Sequence, residues 1–309
     1  MKILITGGAG FIGSHLVDYY LEKGAEVFVV DNLITGQEKN IKQHSGNKRF
    51  NFLNIDVCSF VKFDSSLDLI FHLASPASPF DYLKYPIETM KTASLGTINM
   101  LELALNKSVK FILASTSEVY GDPLVHPQKE EYWGNVNPIG LRSVYDEGKR
   151  FAEAITMAYH RKYGLKIGIV RIFNTYGERM RSGDGRVIPA FINQALKNEP
   201  MTIFGDGSQS RSFCYISDLV RGIAELAKAD YPMPVNLGNP DEYTILELAQ
   251  LVKKLCNSNS QFLFQPLPED DPHRRKPDIT RAKELLKWKP EVNLETGLMK
   301  VIEWFNSKS

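Results

Sequence analysis

The turn Thr6-Gly7-Gly8-Ala9-Gly10-Phe11-Ile12-Gly13 constrains this chain more than any other segment, because it joins an apolar run, Lys2–Thr6, directly to a helical pattern, Ile12–Lys23. A Gly-x-x-Gly-x-x-Gly spacing in that setting has a physical reading. Gly7 permits a tight turn, Gly10 lets backbone N–H groups approach a pyrophosphate, and Gly13 lets the helix pack on the strand. The helix N-terminus adds partial positive charge. Asp31 ends the second apolar run, eighteen residues past Gly13, where a carboxylate accepts ribose hydroxyls and repels a 2′-phosphate; this favours NAD over NADP. With Phe11, Ile12, Asn32, the pair Asp56-Val57 beside the adenine, and Leu73, these residues form the candidate cofactor site.

Short apolar runs alternate with amphipathic stretches through the first half. Lys2–Thr6, Glu26–Val30, Phe50–Leu53, Leu69–Leu73, Lys110–Ala114 and Lys166–Arg171 read as buried strands; Ile12–Lys23, Pro86–Asn106 and Glu147–Tyr163 read as helices. Such alternation predicts an α/β fold with a doubly wound parallel, Rossmann-type sheet. After residue 174 the chain turns to loops rich in Gly, Arg and Asp, predicting a smaller C-terminal substrate-binding lobe over 175–309 beside a nucleotide domain over 1–174, with a return to that domain around 212–230.

Composition narrows the classes of partner. Lys plus Arg total 37 and Asp plus Glu total 36, so no bulk field attracts nucleic acid or an anionic membrane surface. An anionic ligand must be met locally. Cys58, Cys214 and Cys256 are scattered and odd in number, and the six histidines show no ligand spacing, so neither disulfides nor a metal are expected and a cytoplasmic location fits. The 309 residues contain no apolar run long enough to span a bilayer, which disfavours a membrane-anchored form.

Tyr145 and Lys149 stand four residues apart in a helical pattern and therefore share a face. Ser115-Thr116-Ser117-Glu118 follows a buried strand, at the end where open α/β sheets place their ligands. A tyrosine serving as base near neutrality needs its pKa moved by roughly 3 units, about 4 kcal/mol. The Lys149 ammonium and an oxidised nicotinamide have the right sign for that.

The glycine turn, Thr116 and the Tyr145/Lys149 pair together resemble the extended short-chain dehydrogenase/reductase family, which acts on nucleotide sugars with tightly held NAD. Longer runs are similar to the UDP-glucuronate decarboxylases within it: His72–Pro79, Ser115–Pro123, Tyr132–Gly140, Tyr145–Arg150, Arg171–Gly177, Asp184–Val187 and Asp270–Asp278. The resemblance spans essentially the whole chain. It implies conversion of UDP-glucuronate to UDP-xylose through a C4-keto intermediate, with the hydride returned to C4. Tyr145 is then the base, Thr116 a hydrogen-bond partner of O4, Lys149 the residue that lowers the tyrosine pKa, and Glu118 and Arg211 the groups that position water or steer the sugar carboxylate.

The chemistry supports that choice. Related dehydratases have Thr-Asp-Glu where this chain has Thr116-Ser117-Glu118, and loss of water wants a carboxylic acid that Ser117 cannot supply. A carboxylate on C5 beside a C4 ketone is a β-keto acid and needs no such acid to lose CO₂. A 4,6-dehydratase or epimerase, release of the UDP-4-keto pentose with NADH, and a non-catalytic NAD-sensing module stay open as alternatives.

Further substrate contacts follow from the same resemblance: Ser75, Tyr85, Ser117, Asn174, Arg186, Tyr215 and Arg275. Arg186, Arg211 and Arg275 fall in three separate polar loops and suit phosphate or carboxylate. The family also implies a homodimer through a four-helix bundle formed by Pro86–Asn106 and Glu147–Tyr163. One departure stands out: Ala93 occupies a position where relatives usually have Asn, with Ser94 or a water as the alternatives for its role.

Overall fold

The computed structural model describes residues 1–59, 62–183, 185–267 and 274–307. Asp184 and residues 270–273, from two of the matching runs, lie outside them. The first half runs β1 (Lys2–Thr6), α1 (Phe11–Glu22), β2 (Glu26–Val30), β3 (Phe50–Leu53), β4 (Leu69–His72), α2 (Pro79–Lys84), α3 (Pro86–Lys91), α4 (Thr97–Lys107), β5 (Lys110–Thr116), α5 (Ser143–Tyr163) and β6 (Ile167–Ile172). The second half continues with β7 (Thr175–Tyr176), α6 (Val187–Leu196), β8 (Met201–Phe204), β9 (Ser210–Ser212), β10 (Cys214–Tyr215), α7 (Ile216–Lys228), β11 (Pro234–Leu237) and β12 (Glu242–Thr244). It ends with α8 (Ile245–Leu255), β13 (Phe262–Gln265), β14 (Arg274–Arg275), α9 (Thr280–Leu286) and α10 (Leu294–Asn306).

Seven strands form one parallel sheet in the order β11-β6-β5-β4-β1-β2-β3. Alternation along each strand divides the core. Ile3 and Ile5 of β1 pack with Leu16, Leu219 and Ile223 of α1 and α7 on one face. Leu4 packs with Leu101, Ala104 and Ala152 of α4 and α5 on the other. Both faces are covered, which is why the strands read as continuous apolar runs rather than alternating ones. The chain leaves β1 in one direction to reach β2 and β3 and in the other to reach β4 and β5, so a crevice opens at the carboxyl ends of β1 and β4.

Three details differ from the sequence expectation. The strand β11 lies beyond the expected return and completes the sheet's edge, its four residues all buried; a run this short, begun by a proline, carries little periodicity. The helix expected over Pro86–Asn106 is three pieces, with a π-helical turn at Thr92–Gly96 between α3 and α4. Ala93 sits in that turn, buried against Gly148 of α5. Ser94 does not take over the missing amide's role, since its hydroxyl donates to its own helix at Met90 O, 2.7 Å. Third, α5 starts at Ser143, placing Tyr145 inside the first turn.

Candidate active site

The crevice deepens into a cavity of about 820 Å³ that runs from the glycine turn to α5 and on to the second half. At the nucleotide end its wall is largely backbone. Gly7 has φ +71°, and a Cβ there would lie 2.8 Å from the Ala74 amide nitrogen; one on Gly13 would lie 2.1 Å from the Gly7 carbonyl oxygen. Only glycine lets β1, β4 and α1 approach so closely. Gly10, Phe11, Ile12 and Gly13 all line the cavity where α1 begins.

Asp31 is buried at the end of β2 and accepts from the Ala9 amide at 3.0 Å and the Leu33 amide at 2.9 Å. Burial pushes its carboxyl up, and those two hydrogen bonds oppose the shift. Each oxygen keeps lone pairs for a ribose hydroxyl. Asn32, Val57 and Leu73 line the wall as expected. Asp56 does not: its carboxylate accepts from the Cys58 amide at 2.7 Å and from Asn32 Nδ2 at 3.0 Å, so it holds Asn32 in place. The closely fitted glycines, the helix terminus and the ribose acceptor together suit an NAD dinucleotide.

At the centre, Thr116, Tyr145 and Lys149 line the cavity together. The Lys149 ammonium donates to Ala114 O at 2.9 Å and lies 5.8 Å from the centre of the Tyr145 ring. Burial lowers it to about 8. Tyr145 is raised above its ordinary value, chiefly by burial, with the hydrogen bond to Thr116 and the charge of Arg186 acting the other way. Of the two charges expected to bring the phenol down, the Lys149 ammonium does not outweigh desolvation, which leaves the oxidised nicotinamide as the other. A Tyr82 ring is stacked on Tyr145, centroids 5.2 Å apart and planes 6° off parallel.

The sugar end is built from charge. Glu118, in the turn after β5, is gripped by Arg275 Nη1 and, at 2.7 Å, by Arg142 Nη2. Burial would raise its carboxyl, but the two guanidinium groups prevail and hold it at about 2. Arg275 and Arg211 are register partners on the adjacent strands β14 and β9, not members of separate loops, and both line the cavity. Arg211 donates to Ser210 O at 2.9 Å. Glu118 is thus paired with Arg275 and Arg142, and Arg211 lies on the strand beside Arg275.

The remaining expectations divide. Ser75, Ser117, Asn174 and Arg186 line the cavity. Arg186 stands over the Phe11 ring at 5.6 Å, toward the nucleotide end. Tyr85 and Tyr215 are not on the wall. The Tyr85 carbonyl accepts from Thr89 in α3, and Tyr215 donates to Glu178 at 2.5 Å with Lys300 against its ring. Arg142 and Tyr82 escaped the sequence reading; Arg142 sits one turn before Tyr145 on the same face, which was the available signal. His72 is buried between the hydroxyls of Thr6 at 2.8 Å and Thr97 at 3.1 Å. Among the described residues, no three His, Cys, Asp or Glu side chains gather as a metal site, and no helix is long and apolar enough to cross a membrane.

The model of the NAD dependent epimerase/dehydratase family matches residues 3–238. The chain belongs to that family. It is 52% identical over 308 residues to UDP-glucuronic acid decarboxylase 2 of Arabidopsis thaliana, covering 100% of this chain and 69% of that protein. It is 53% identical over 305 residues to UDP-glucuronic acid decarboxylase 1 of Danio rerio, covering 99% and 72%. Among solved structures, UDP-glucuronic acid 4-epimerase from Bacillus cereus, in complex with UDP-glucuronic acid and NAD, superposes with a TM-score of 0.89 at 29% identity and full coverage of both chains. NAD is accordingly the cofactor of this family member.

Proposed function

We propose that this chain decarboxylates UDP-glucuronate to UDP-xylose by a redox-neutral cycle at C4. The observation that carries it is the state of Glu118. Pinned between Arg142 and Arg275 and held at about 2, it stays ionised and cannot protonate a leaving hydroxyl, and Ser117 beside it has no carboxyl to lend. Dehydration lacks its acid, whereas loss of CO₂ from a β-keto acid needs none.

Tyr145 takes the O4 proton while the Thr116 hydroxyl holds the same oxygen, and Lys149 keeps a positive charge beside the phenol. When bound, NAD supplies the hydride acceptor for C4, the return of that hydride, and a positive charge that favours the tyrosinate. Arg211, on the cavity wall, suits the sugar carboxylate by its charge, while Arg275 stays with Glu118 and the Gly121 carbonyl. Once CO₂ has left, a water held by Glu118 or Arg211 gives its proton to C5 and the hydroxide left behind takes one from solvent, while Tyr145 returns its proton to O4. Asp31 and the amides of the first turn of α1 bind the cofactor; Ser75, Ser117 and Asn174 contact the sugar.

The division of the chain into a nucleotide domain over 1–174 and a sugar lobe over 175–309 follows the same reading, with α7 and β11 lent back to the first. A homodimer fits as well. Leu83, Ile87, Met90 and Leu95 are exposed along α2, α3 and the π turn, and Phe151 is exposed on α5, beside α3. Apolar residues concentrated on two packed helical segments suit burial against a second copy. The free thiols of Cys58, Cys214 and Cys256 suit a reducing cytoplasm.

Incubation of the purified protein with UDP-glucuronate should lower the substrate mass by that of CO₂ and yield UDP-xylose, with no net growth of absorbance at ~340 nm from reduced cofactor. Tyr145→Phe should lose about 10³-fold or more in kcat. Unchanged substrate mass would sink the reading; one equivalent of NADH per turnover would favour release of the 4-keto pentose.

A further inference from the structure

Beneath the strand end that carries Thr116 lies a charged pair that the reaction scheme leaves unused. Glu153 follows Lys149 by four residues on α5, so the two side chains share a face one turn apart. Its Oε1 accepts from the Ser115 hydroxyl at 2.6 Å and from Arg171 Nε at 2.9 Å, and its Oε2 accepts from Arg171 Nη2 at 2.7 Å. Arg171 is the register partner of Ser115 across β5 and β6. It donates onward to the Tyr120 hydroxyl at 2.9 Å and the Glu130 carbonyl at 3.0 Å. Ser115 and Tyr120 thus bracket Thr116, Ser117 and Glu118 from both sides. Both partners of the pair are largely buried, with side chains 11% and 12% exposed. Burying an ion pair seldom stabilises a fold on balance, so the arrangement calls for a role beyond stability.

We propose that Glu153 is a positioning residue for Lys149 and Thr116: locked by Arg171, its carboxylate ties the Ser115–Tyr120 segment to α5 and supplies the countercharge for the Lys149 ammonium. This rests on the assignment of Tyr145 and Lys149 to proton removal at O4. Burial lowers Lys149, and the Glu153 carboxylate is the charge that opposes the shift. The other ionisable groups around it do not. Tyr145 on the same helix is held neutral by burial. His72, from β4, is also kept neutral by burial, at about 3. Glu118, after β5, is engaged by Arg142 and Arg275; Arg171, from β6, is matched by Glu153 itself; and Glu102, from α4, is taken by Tyr159 farther along α5.

Glu153→Gln keeps the shape and removes the charge. In a ¹³Cε-lysine NMR titration, with the Lys149 signal identified by its loss in Lys149→Met, that signal should titrate about one pH unit lower in Glu153→Gln than in the parent. The alkaline limb of kcat should move down with it while KM for UDP-glucuronate changes less than about twofold, and Glu153→Asp should restore both. If Glu153→Gln does not fold, the double variant Glu153→Gln/Arg171→Met leaves no stranded charge and should show a smaller downward shift, because the Arg171 cation is removed with the carboxylate. A Lys149 titration that does not move in the variant that folds overturns the proposal. Because the titration is read without turnover, a shifted Lys149 in a protein that fails to decarboxylate would fault the assigned reaction and uphold the Glu153 coupling.

Discussion

At the nucleotide end of the cavity the chain presents backbone: glycines packed against β4, the first turn of α1, and a single carboxylate, Asp31, braced by two amides. At the sugar end it presents side-chain charge, Glu118 clamped by Arg142 at the N-cap of α5 and Arg275 from β14, with Arg211 on the neighbouring strand. The first is compact in sequence, spanning residues 6–31. The second gathers residues as far apart as 118 and 275. A backbone cradle tolerates few changes of shape but many of charge, and a charged clamp the reverse.

The sharpest way to break this contrast is at Gly13. A methyl group there would lie 2.1 Å from the Gly7 carbonyl, so Gly13→Ala should abolish NAD binding, falling by at least about 10²-fold as measured by cofactor fluorescence or titration calorimetry. A variant that still bound NAD normally would show that the turn yields more easily than its packing implies.

Arg275→Met should act at the other end alone. It leaves Glu118 with Arg142 as its remaining clamp, and loss of one partner from a buried pair costs roughly 3–5 kcal/mol. A fall of about 10²-fold or more in kcat/KM, with NAD affinity unchanged, is expected. Loss of NAD affinity as well would mean that the two ends are not separate.

Asp31→Asn keeps the size of the side chain and removes its charge. Affinity for NAD should fall about tenfold and discrimination against NADP should shrink, since the repulsion of a 2′-phosphate is gone. Direct titration of both cofactors reads this out.

A last effect concerns stability rather than binding. His72, fully buried between Thr6 and Thr97, has its pKa lowered by burial from 6.5 to about 3. Between those values the unfolded chain binds a proton that the folded chain does not, so stability is whole above 6.5 and falls as pH drops, at about 1.4 kcal/mol per unit. Glu118, depressed to about 2 from 4.5, adds its own loss below 4.5. Urea melts at pH 5 and 7 should differ less in His72→Asn than in the parent; an equal difference would place the acid sensitivity elsewhere.

The nucleotide end was readable because its determinants are local. The glycine spacing, the strand before it and Asp31 after it all describe one strand, turn, helix and strand, and β1, β2 and β3 run over the predicted residues. Tyr145 and Lys149 were readable for a similar reason, since helical spacing alone puts them on one face. The pairing of Glu118 was not, because β9 and β14 are three and two residues long, too short for any periodicity, and their alignment decides which arginine reaches the carboxylate. The partner of Tyr215, Glu178, lies 37 positions away and was not legible either.

Residue order alone therefore determined six strands of the sheet, the glycine turn and the shared face of Tyr145 and Lys149, because hydrophobic periodicity and glycine sterics act over a few residues. Tertiary structure decided the charge of the sugar end and the direction of the tyrosine's shift. Both depend on desolvation and on charges a few ångströms apart in space, and neither burial nor such proximity is written in the spacing of residues along the chain.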